Sequence, residues 1–182
     1  MRYLFIFILL TIVSQGFGQT YIPVDEESTI EFRIKNFGSS VDGTLTGLKG
    51  TIVFDAQNIA AAKLDVTVDA NTIDTDIGMR DNHLRKKEYF FVSEYPMIRF
   101  VSTSVVLNGP GKGTVTGNLT IRKTTREITI PFTYGIAKNN LTLKGEFPLN
   151  RRHFEVGGNS ISLSDELKVL LKVTARSNPT EN

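Results

Sequence analysis

The feature that most constrains the fold of this chain is an alternation of apolar and polar residues that recurs along most of its length. In the segment TIEFRIKNF, Ile30, Phe32 and Ile34 are separated by single charged residues. A period of two residues indicates a β-strand with one buried face. Turn residues separate further segments of this kind: TIVFD, KLDVTVDA, MIRFVSTSVVL, TVTGNLTIR, EITIPFTY, LTLKGEFPL and ELKVLLKVTAR. The pattern predicts eight or nine strands with short connections, and therefore an antiparallel sheet.

A sheet of this size has to cover its apolar face, either as a sandwich or as a closed barrel that also removes the exposed edges. Gly117 and Gly145 fall on the apolar face in the middle of predicted strands. Glycine there permits the sharp bend of a barrel, or leaves room inside it for a guest molecule. The glycine-rich segment GTLTGLKG predicts a hairpin turn near Gly47 to Gly50.

The first 18 residues, MRYLFIFILLTIVSQGFG, have the order of a secretory signal peptide: a basic residue, an apolar run and a small-x-small ending. We therefore expect cleavage after Gly18 and a periplasmic or secreted protein. The alternatives are an uncleaved anchor or a buried N-terminal strand. Residues 19–177 would then form one domain, and residues 178–182 a frayed tail.

Composition excludes several classes of function. The chain has 182 residues and no cysteine, which rules out cysteine nucleophiles and thiolate metal sites. The formal net charge is +2, or +1 without Arg2, so no bulk charge favours nucleic acid. No glycine-rich phosphate loop follows a strand, and we expect no cofactor and no metal.

The stretch RDNHLRKKEYFFVSEYP departs from the alternating pattern. Residues 76–87 carry helix chemistry, with Thr75 or Asp76 as the predicted N-cap and basic residues at the C-terminal end. Phe90 and Phe91 follow at once, as anchors for the end of that helix. Two interpretations remain open: a crossover helix that closes one end of a barrel, or a lid over an interior pocket.

Catalytic chemistry has only weak candidates in this sequence. The chain has two histidines, His83 and His153, and no G-x-S-x-G or H-E-x-x-H motif surrounds either of them. His83 with Asp81 is the one plausible acid/base pair of an enzyme that would act inside the barrel. Surface polar residues are the commoner interpretation, and we predict no catalytic residue.

The sequence from about Tyr21 to Ala175 resembles the YceI-like proteins, an exported bacterial family that binds polyisoprenoids and related lipids. The most specific segment is TDIGMRDNHLRKKEYFFVSEYPMIRF, and GNLTIRKTTREITI, LNRRHFEV and SSVDGTLTGLKGTIVFD match further family segments. The family pattern is met at Thr75, Arg80, Asp81, His83, Leu84, Phe90, Phe91, Tyr95, Pro96, Ile98 and Phe100. The sequence departs from it at Lys123, His153 and Glu155.

This resemblance implies a lipocalin-like, eight-stranded antiparallel β-barrel with a short helix near one end. Its interior would hold one isoprenoid-type chain, such as a polyprenyl or quinone-like lipid, for storage or transport. The expected partners are that lipid and, as a further possibility, a second copy of the chain, with no stable membrane insertion. The inward period predicts as ligand-binding residues Phe32, Ile34, Phe54, Leu64, Val66, Phe100, Leu119, Phe132, Leu143 and Phe147, and Phe91 of the helix-exit segment is predicted to join them. Two competing hypotheses are an enzyme that acts on a lipid in the same cavity, and a packed barrel that binds a partner.

Overall fold

The computed structural model describes residues 18–178. The predicted signal peptide therefore lies, apart from Gly18, outside the described residues, as does most of the predicted tail. The strands are β1 (Gln19–Pro23), β2 (Thr29–Asn36), β3 (Ser39–Phe54), β4 (Lys63–Asp74), β5 (Met97–Gly109), β6 (Lys112–Ile121), β7 (Thr124–Ala137), β8 (Asn140–Asn150) and β9 (Leu163–Ser177). One α-helix, α1 (Gly78–Leu84), and three short 3₁₀ helices (Asp25–Glu27, Ile59–Ala61, Arg151–Phe154) complete the described elements.

The sheet closes into a barrel. Its strand order is β1-β3-β2-β9-β8-β7-β6-β5-β4, and β4 pairs with β3 to complete the circle. All strand pairs are antiparallel. The predicted eight-stranded barrel is confirmed, with β1 as one additional strand.

Strands β1 and β2 share one place in the wall, between β3 and β9. β2 pairs with residues 39–45 of β3, whereas β1 pairs with residues 52–54. Both also pair with β9. The 3₁₀ helix Asp25–Glu27 lies between them, and the Asp25 carboxylate accepts hydrogen bonds from the backbone N–H groups of Gly47 (2.9 Å) and Leu48 (2.7 Å).

The predicted hairpin turn near Gly47 to Gly50 is therefore wrong, because β3 runs through this segment without reversing. Gly47 and Gly50 have φ angles of 78° and 131°, which other residues rarely adopt. The two glycines allow the strand to bend where it passes from β2 to β1. Turns and mid-strand bends both require backbone angles that glycine adopts readily, so the presence of glycine does not distinguish between them.

The predicted helix over residues 76–87 is present but shorter, at Gly78–Leu84. Its N-cap is Ile77, which makes no side-chain capping bond, so the predicted cap at Thr75 or Asp76 is wrong. Thr75 instead donates its backbone N–H (2.9 Å) and hydroxyl (2.5 Å) to the buried carboxylate of Asp81. These two hydrogen bonds join Asp81 of α1 to Thr75, the residue that follows β4, and so fix the orientation of the helix relative to that strand.

The two ends of the barrel differ. At one end, which we call the helix end, lie α1, the β2–β3 turn at residues 37–38 and the loop at residues 155–162. At the other, the aromatic end, Tyr21, Ile52, Phe54, Leu141 and Ala175 form a buried cluster. The rings of Phe54, Phe132 and Tyr134 lie 5.1–6.4 Å apart there, centroid to centroid. The aromatic end is consequently filled by side chains.

Candidate functional site

A cavity of about 280 Å³ lies inside the barrel. For comparison, an apolar protein cavity of about 150 Å³ remains dry and accepts benzene. The lining residues on β9 extend from Leu163 to Val173. At about 3.3 Å per residue and a strand tilt of about 40°, this gives a length of roughly 25 Å along the barrel axis. The site is thus an elongated apolar tube, not a compact pocket.

Strands β2 to β9 each contribute apolar side chains of their alternating pattern to this tube, and β1 contributes none. On β2, the inward side chains Ile30, Phe32 and Ile34 are only half buried, because they border empty space and not other side chains. Ten of the eleven predicted ligand-binding residues line the cavity: Phe32, Ile34, Phe54, Leu64, Val66, Phe100, Leu119, Phe132, Leu143 and Phe147. Their part in ligand binding stays a prediction.

The eleventh, Phe91, does not line the cavity. It has a φ of 49°, its ring packs edge-on against Tyr95 at 5.9 Å, and the Lys87 ammonium lies 5.9 Å from the ring centroid. Its neighbour Phe90 lines the cavity instead, together with Leu84 and Tyr89. The positive φ turns the chain at Phe91, so two adjacent phenylalanines point to different surroundings, which the sequence pattern does not reveal.

Several lining residues are absent from the sequence-based prediction, although most of them obey the same period. Strand β9 supplies Leu167, Val169, Leu171 and Val173, and β3 supplies Val41 and Leu45. The alternation in ELKVLLKVTAR is a sufficient signal for the β9 residues. Ile73 of β4 cannot be found this way, because the register between β3 and β4 shifts near it.

The inward-facing glycines of the wall leave space that aromatic rings of neighbouring strands occupy. A methyl group on Gly117 would lie 2.5 Å from the Phe100 ring, and one on Gly113 would lie 2.5 Å from the Phe132 ring. Gly43 stands in the same relation to Phe32, at 2.3 Å. The room that Gly117 leaves is thus occupied by a phenylalanine of the next strand. Gly145, by contrast, borders the cavity itself.

Several of the polar lining residues lie at the helix end of the tube, whereas Glu31, Thr67 and Lys144 border it further along the wall. Asn36, Thr75, Arg80 and Arg151 all line the cavity there. The Arg80 guanidinium donates to the Thr75 hydroxyl (2.7 Å) and carbonyl (2.6 Å). The Oδ1 atom of Asn36 is buried and accepts no hydrogen bond from the residues that the structure describes. This end can therefore receive the polar terminus of a ligand whose chain occupies the tube.

Arg151 supports the helix end from within. Its buried guanidinium forms an ion pair with Asp165 (2.6 Å) and donates to the carbonyls of Val156 (3.0 Å), Gly158 (3.0 Å) and Ser164 (2.8 Å). These bonds hold the loop at residues 155–162 against the start of β9. A buried cation with this many acceptors is satisfied, so its place is structural.

The structure does not place His83 and Asp81, the candidate acid/base pair, where they could act on a molecule in the cavity. His83 is exposed, and its ring packs against Tyr89 with the centroids 5.0 Å apart. The Asp81 carboxylate is buried against Thr75. Neither residue lines the cavity. Within residues 18–178, no group of three or more His, Asp or Glu side chains could hold a metal ion.

Ion pairs with a clear electrostatic effect lie on the outer wall. The Arg99 guanidinium, through its hydrogen bonds to Asp65 (2.9 and 2.6 Å), lowers the pKa of that carboxyl. Arg33 lowers the pKa of Asp42 in the same way. Both pairs are exposed and lie on the outward face of paired strands. The described part of the chain contains no helix with the length and apolar character needed to cross a membrane.

Comparison with known proteins gives concordant results. A UPF0312 protein of Yersinia enterocolitica is 38% identical over 143 residues, which covers 77% of this chain and 70% of that protein. The solved structure of Burkholderia cenocepacia BcnA superposes with a TM-score of 0.80 at 24% identity, over 84% of this chain and 98% of that one.

A polyisoprenoid binding domain from Saccharophagus degradans, implicated in plant cell wall breakdown, superposes with a TM-score of 0.71 at 11% identity. The match covers 88% of this chain and 99% of that domain. These two structures share the barrel fold. The sequence itself matches the YceI-like domain over residues 21–175, nearly all of the described barrel. The chain therefore belongs to the YceI-like family.

Proposed function

We propose that this protein binds one isoprenoid-type lipid chain in the barrel and keeps it from water during storage or transport outside the cytoplasm. The observation that carries the proposal is the elongated cavity of about 280 Å³, bounded almost entirely by aliphatic and aromatic side chains. Membership of the YceI-like family and the structural likeness to a polyisoprenoid binding domain support the same ligand class.

The shape of the tube favours a chain over a compact ligand. An extended hydrocarbon advances roughly 1.25 Å per bond of about 1.5 Å, so roughly 25 Å corresponds to about 20 main-chain carbons, or five isoprene units. At about 25 cal/mol per Å² of apolar surface, burial of such a chain gains on the order of 10 kcal/mol before ordering costs. A hydrocarbon needs no hydrogen-bond partner, which agrees with a wall that offers few.

Binding is favoured over catalysis because the residues of the proposed acid/base pair lie outside the cavity. It is favoured over a packed partner-binding barrel because the interior contains open volume. The predicted signal peptide supports a periplasmic or secreted site of action, where a lipid chain has to be shielded from water. A homodimer stays a prediction.

The test is native mass spectrometry of the protein purified from a bacterial host without detergent, followed by solvent extraction and lipid analysis. We expect one bound molecule per barrel, and its extract should contain an isoprenoid chain of about five or more units. A barrel that stays empty after incubation with polyprenols and prenylquinones, or that carries only straight fatty acyl chains, would contradict the proposal. The background is the amount of non-isoprenoid host lipid that co-purifies with the protein, which should be well below one molecule per barrel.

A further inference from the structure

Four large apolar side chains at the helix end are exposed to solvent without a structural reason. Phe37 is 83% exposed and Met79 86%, Ile161 is fully exposed, and Ile77 is 51% exposed. We call this set the apolar rim. Exposed apolar groups that cluster at the border of a binding site commonly mark an interaction surface.

The rim surrounds the end of the cavity. Phe37 follows the lining residue Asn36, and Met79 precedes the lining residue Arg80. Ile77 lies two positions after Thr75, and Ile161 two positions before Leu163, both of which line the cavity. In three separate segments, an exposed apolar residue thus stands one or two positions from a residue that lines the tube.

These segments are held together by backbone hydrogen bonds. The Phe37 N–H donates to the Ser162 carbonyl at 2.9 Å, which fixes the β2–β3 turn beside the loop that carries Ile161. Asp74, at the end of β4, is paired with Thr44 of β3, so α1 begins alongside the same hairpin. The rim is therefore a fixed arrangement, set by the same elements that end the barrel.

The position of the rim gives it a specific use. The aromatic end is filled by Tyr21, Phe54 and their neighbours, which leaves the helix end as the route by which a chain would enter or leave the tube. A hydrocarbon chain that crosses open water between a bilayer and the tube exposes all of its apolar surface. If apolar side chains around the entrance insert into the bilayer surface, the hydrocarbon chain passes between bilayer and tube without being exposed to water.

We propose that the apolar rim of Phe37, Ile77, Met79 and Ile161 inserts into the surface of a lipid bilayer and places the cavity entrance on its acyl chains. This proposal rests on the proposed function and adds where and how the ligand is exchanged. Because the contact is apolar, it needs no anionic lipid. Binding should therefore persist on phosphatidylcholine vesicles and depend only weakly on salt.

The test compares two triple variants of the full chain on phosphatidylcholine vesicles by flotation. The rim variant is Phe37→Asn, Met79→Gln and Ile161→Thr; asparagine suits the φ of 49° at position 37. The control variant, Ile22→Thr, Val106→Thr and Ile136→Thr, removes three partly exposed apolar side chains that lie away from the rim. Mass measurement shows whether residues 1–18 are retained, and all samples compared share the same N-terminus.

We expect the rim variant to lower the vesicle partition coefficient at least about a hundredfold, and the control variant to change it less than about threefold. The chain has no tryptophan. A Met79→Trp variant therefore carries a single reporter whose emission should shift to the blue on vesicles and be quenched by brominated acyl chains. Equal partitioning of rim and control variants, or an unshifted reporter, overturns the proposal.

Failure of this proposal is distinguishable from failure of the proposed function. A prenylquinone loaded from detergent micelles reports on the cavity alone, and the rim variant should bind it as the unchanged protein does. Transfer from vesicles should slow at least tenfold in the rim variant. If rim substitutions convert a dimer to a monomer and leave vesicle binding intact, the rim belongs to a contact between two copies, and the membrane proposal is refuted.

Discussion

The substitution Val169→Trp tests whether the middle of the tube is open and whether the ligand occupies it. Val169 lines the cavity on β9, and its cross-strand partners are Phe32 and Phe147. It lies halfway between the ends of the lining on its strand. Tryptophan adds seven heavy atoms at this level and divides the tube into two short halves.

The magnitude follows from the length of chain that remains buried. If full burial gains on the order of 10 kcal/mol, the loss of half of the tube removes about 5 kcal/mol. At 1.4 kcal/mol per tenfold, affinity should fall by more than about 10³. The stability of the lipid-free protein should change little, because the new side chain enters empty space. In a packed interior, the same substitution would cost about 1–3 kcal/mol.

The assay measures bound lipid per barrel by native mass spectrometry and the free energy of unfolding of lipid-free protein in urea. The matched control is Leu170→Trp, since Leu170 is the next residue on β9 and has the opposite facing in the alternation. Val169→Phe checks the result without a buried indole N–H, which needs a hydrogen-bond partner. Unchanged lipid content in Val169→Trp, or a loss of 1–3 kcal/mol of stability, would refute the reasoning.

Three further substitutions test the supports of the site. Arg151→Ala should lower the free energy of unfolding by about 1–3 kcal/mol, measured in urea, because several carbonyls lose their donor and the half-exposed Asp165 loses its ion pair; a loss below 1 kcal/mol would contradict this role. Gly43→Ala should destabilise the barrel by about 1–3 kcal/mol, and Phe32→Leu in the same chain should restore part of that loss by withdrawing the ring; additive losses would show that the contact is not the cause. The carboxyl of Asp65 has a lowered pKa in the fold, so its ion pair stabilises the protein above the unfolded pKa of about 3.9, and that contribution is lost as pH falls through the folded value. Asp65→Asn should therefore reduce stability at pH 7 by less than about 1 kcal/mol, since the pair is exposed, and should flatten the acid side of the urea-denaturation profile; an unchanged profile would speak against the pair.

The strand pattern is predictable because one face of each strand meets an apolar interior and the other meets water. The period of two therefore survives in the sequence from Thr29 to Ser177 wherever pairing is regular. The prediction fails where the backbone departs from a regular strand. In β5, the register shifts between Ser102 and Ser104, so Phe100 and Val105 both point inward despite opposite parity. A bulge of this kind leaves no reliable mark in the residues themselves.

The segment around α1 shows a second reason why a sequence-based prediction fails: tertiary contacts decide the role of individual residues. Thr75, a good N-cap by residue type, bonds to Asp81 instead, because β4 ends at Asp74 and brings the Thr75 backbone N–H to that carboxylate. Phe91 lies outside the cavity lining because the turn after the helix, and not a period, sets its conformation. The sequence also gives no sign of β1: five residues, QTYIP, are too short to show an alternation, and tertiary pairing alone makes them a strand.

The arrangement of β9 has a consequence for the order of assembly. It is the final strand, yet it joins both β1 and β2, the first two, so the wall stays incomplete until synthesis reaches the C-terminal segment. Before that moment β8 offers an unpaired edge and no enclosed interior exists. The interior therefore closes only after β9 has paired with its neighbours, and the binding proposed above requires that a lipid enter the barrel after synthesis of the chain is complete.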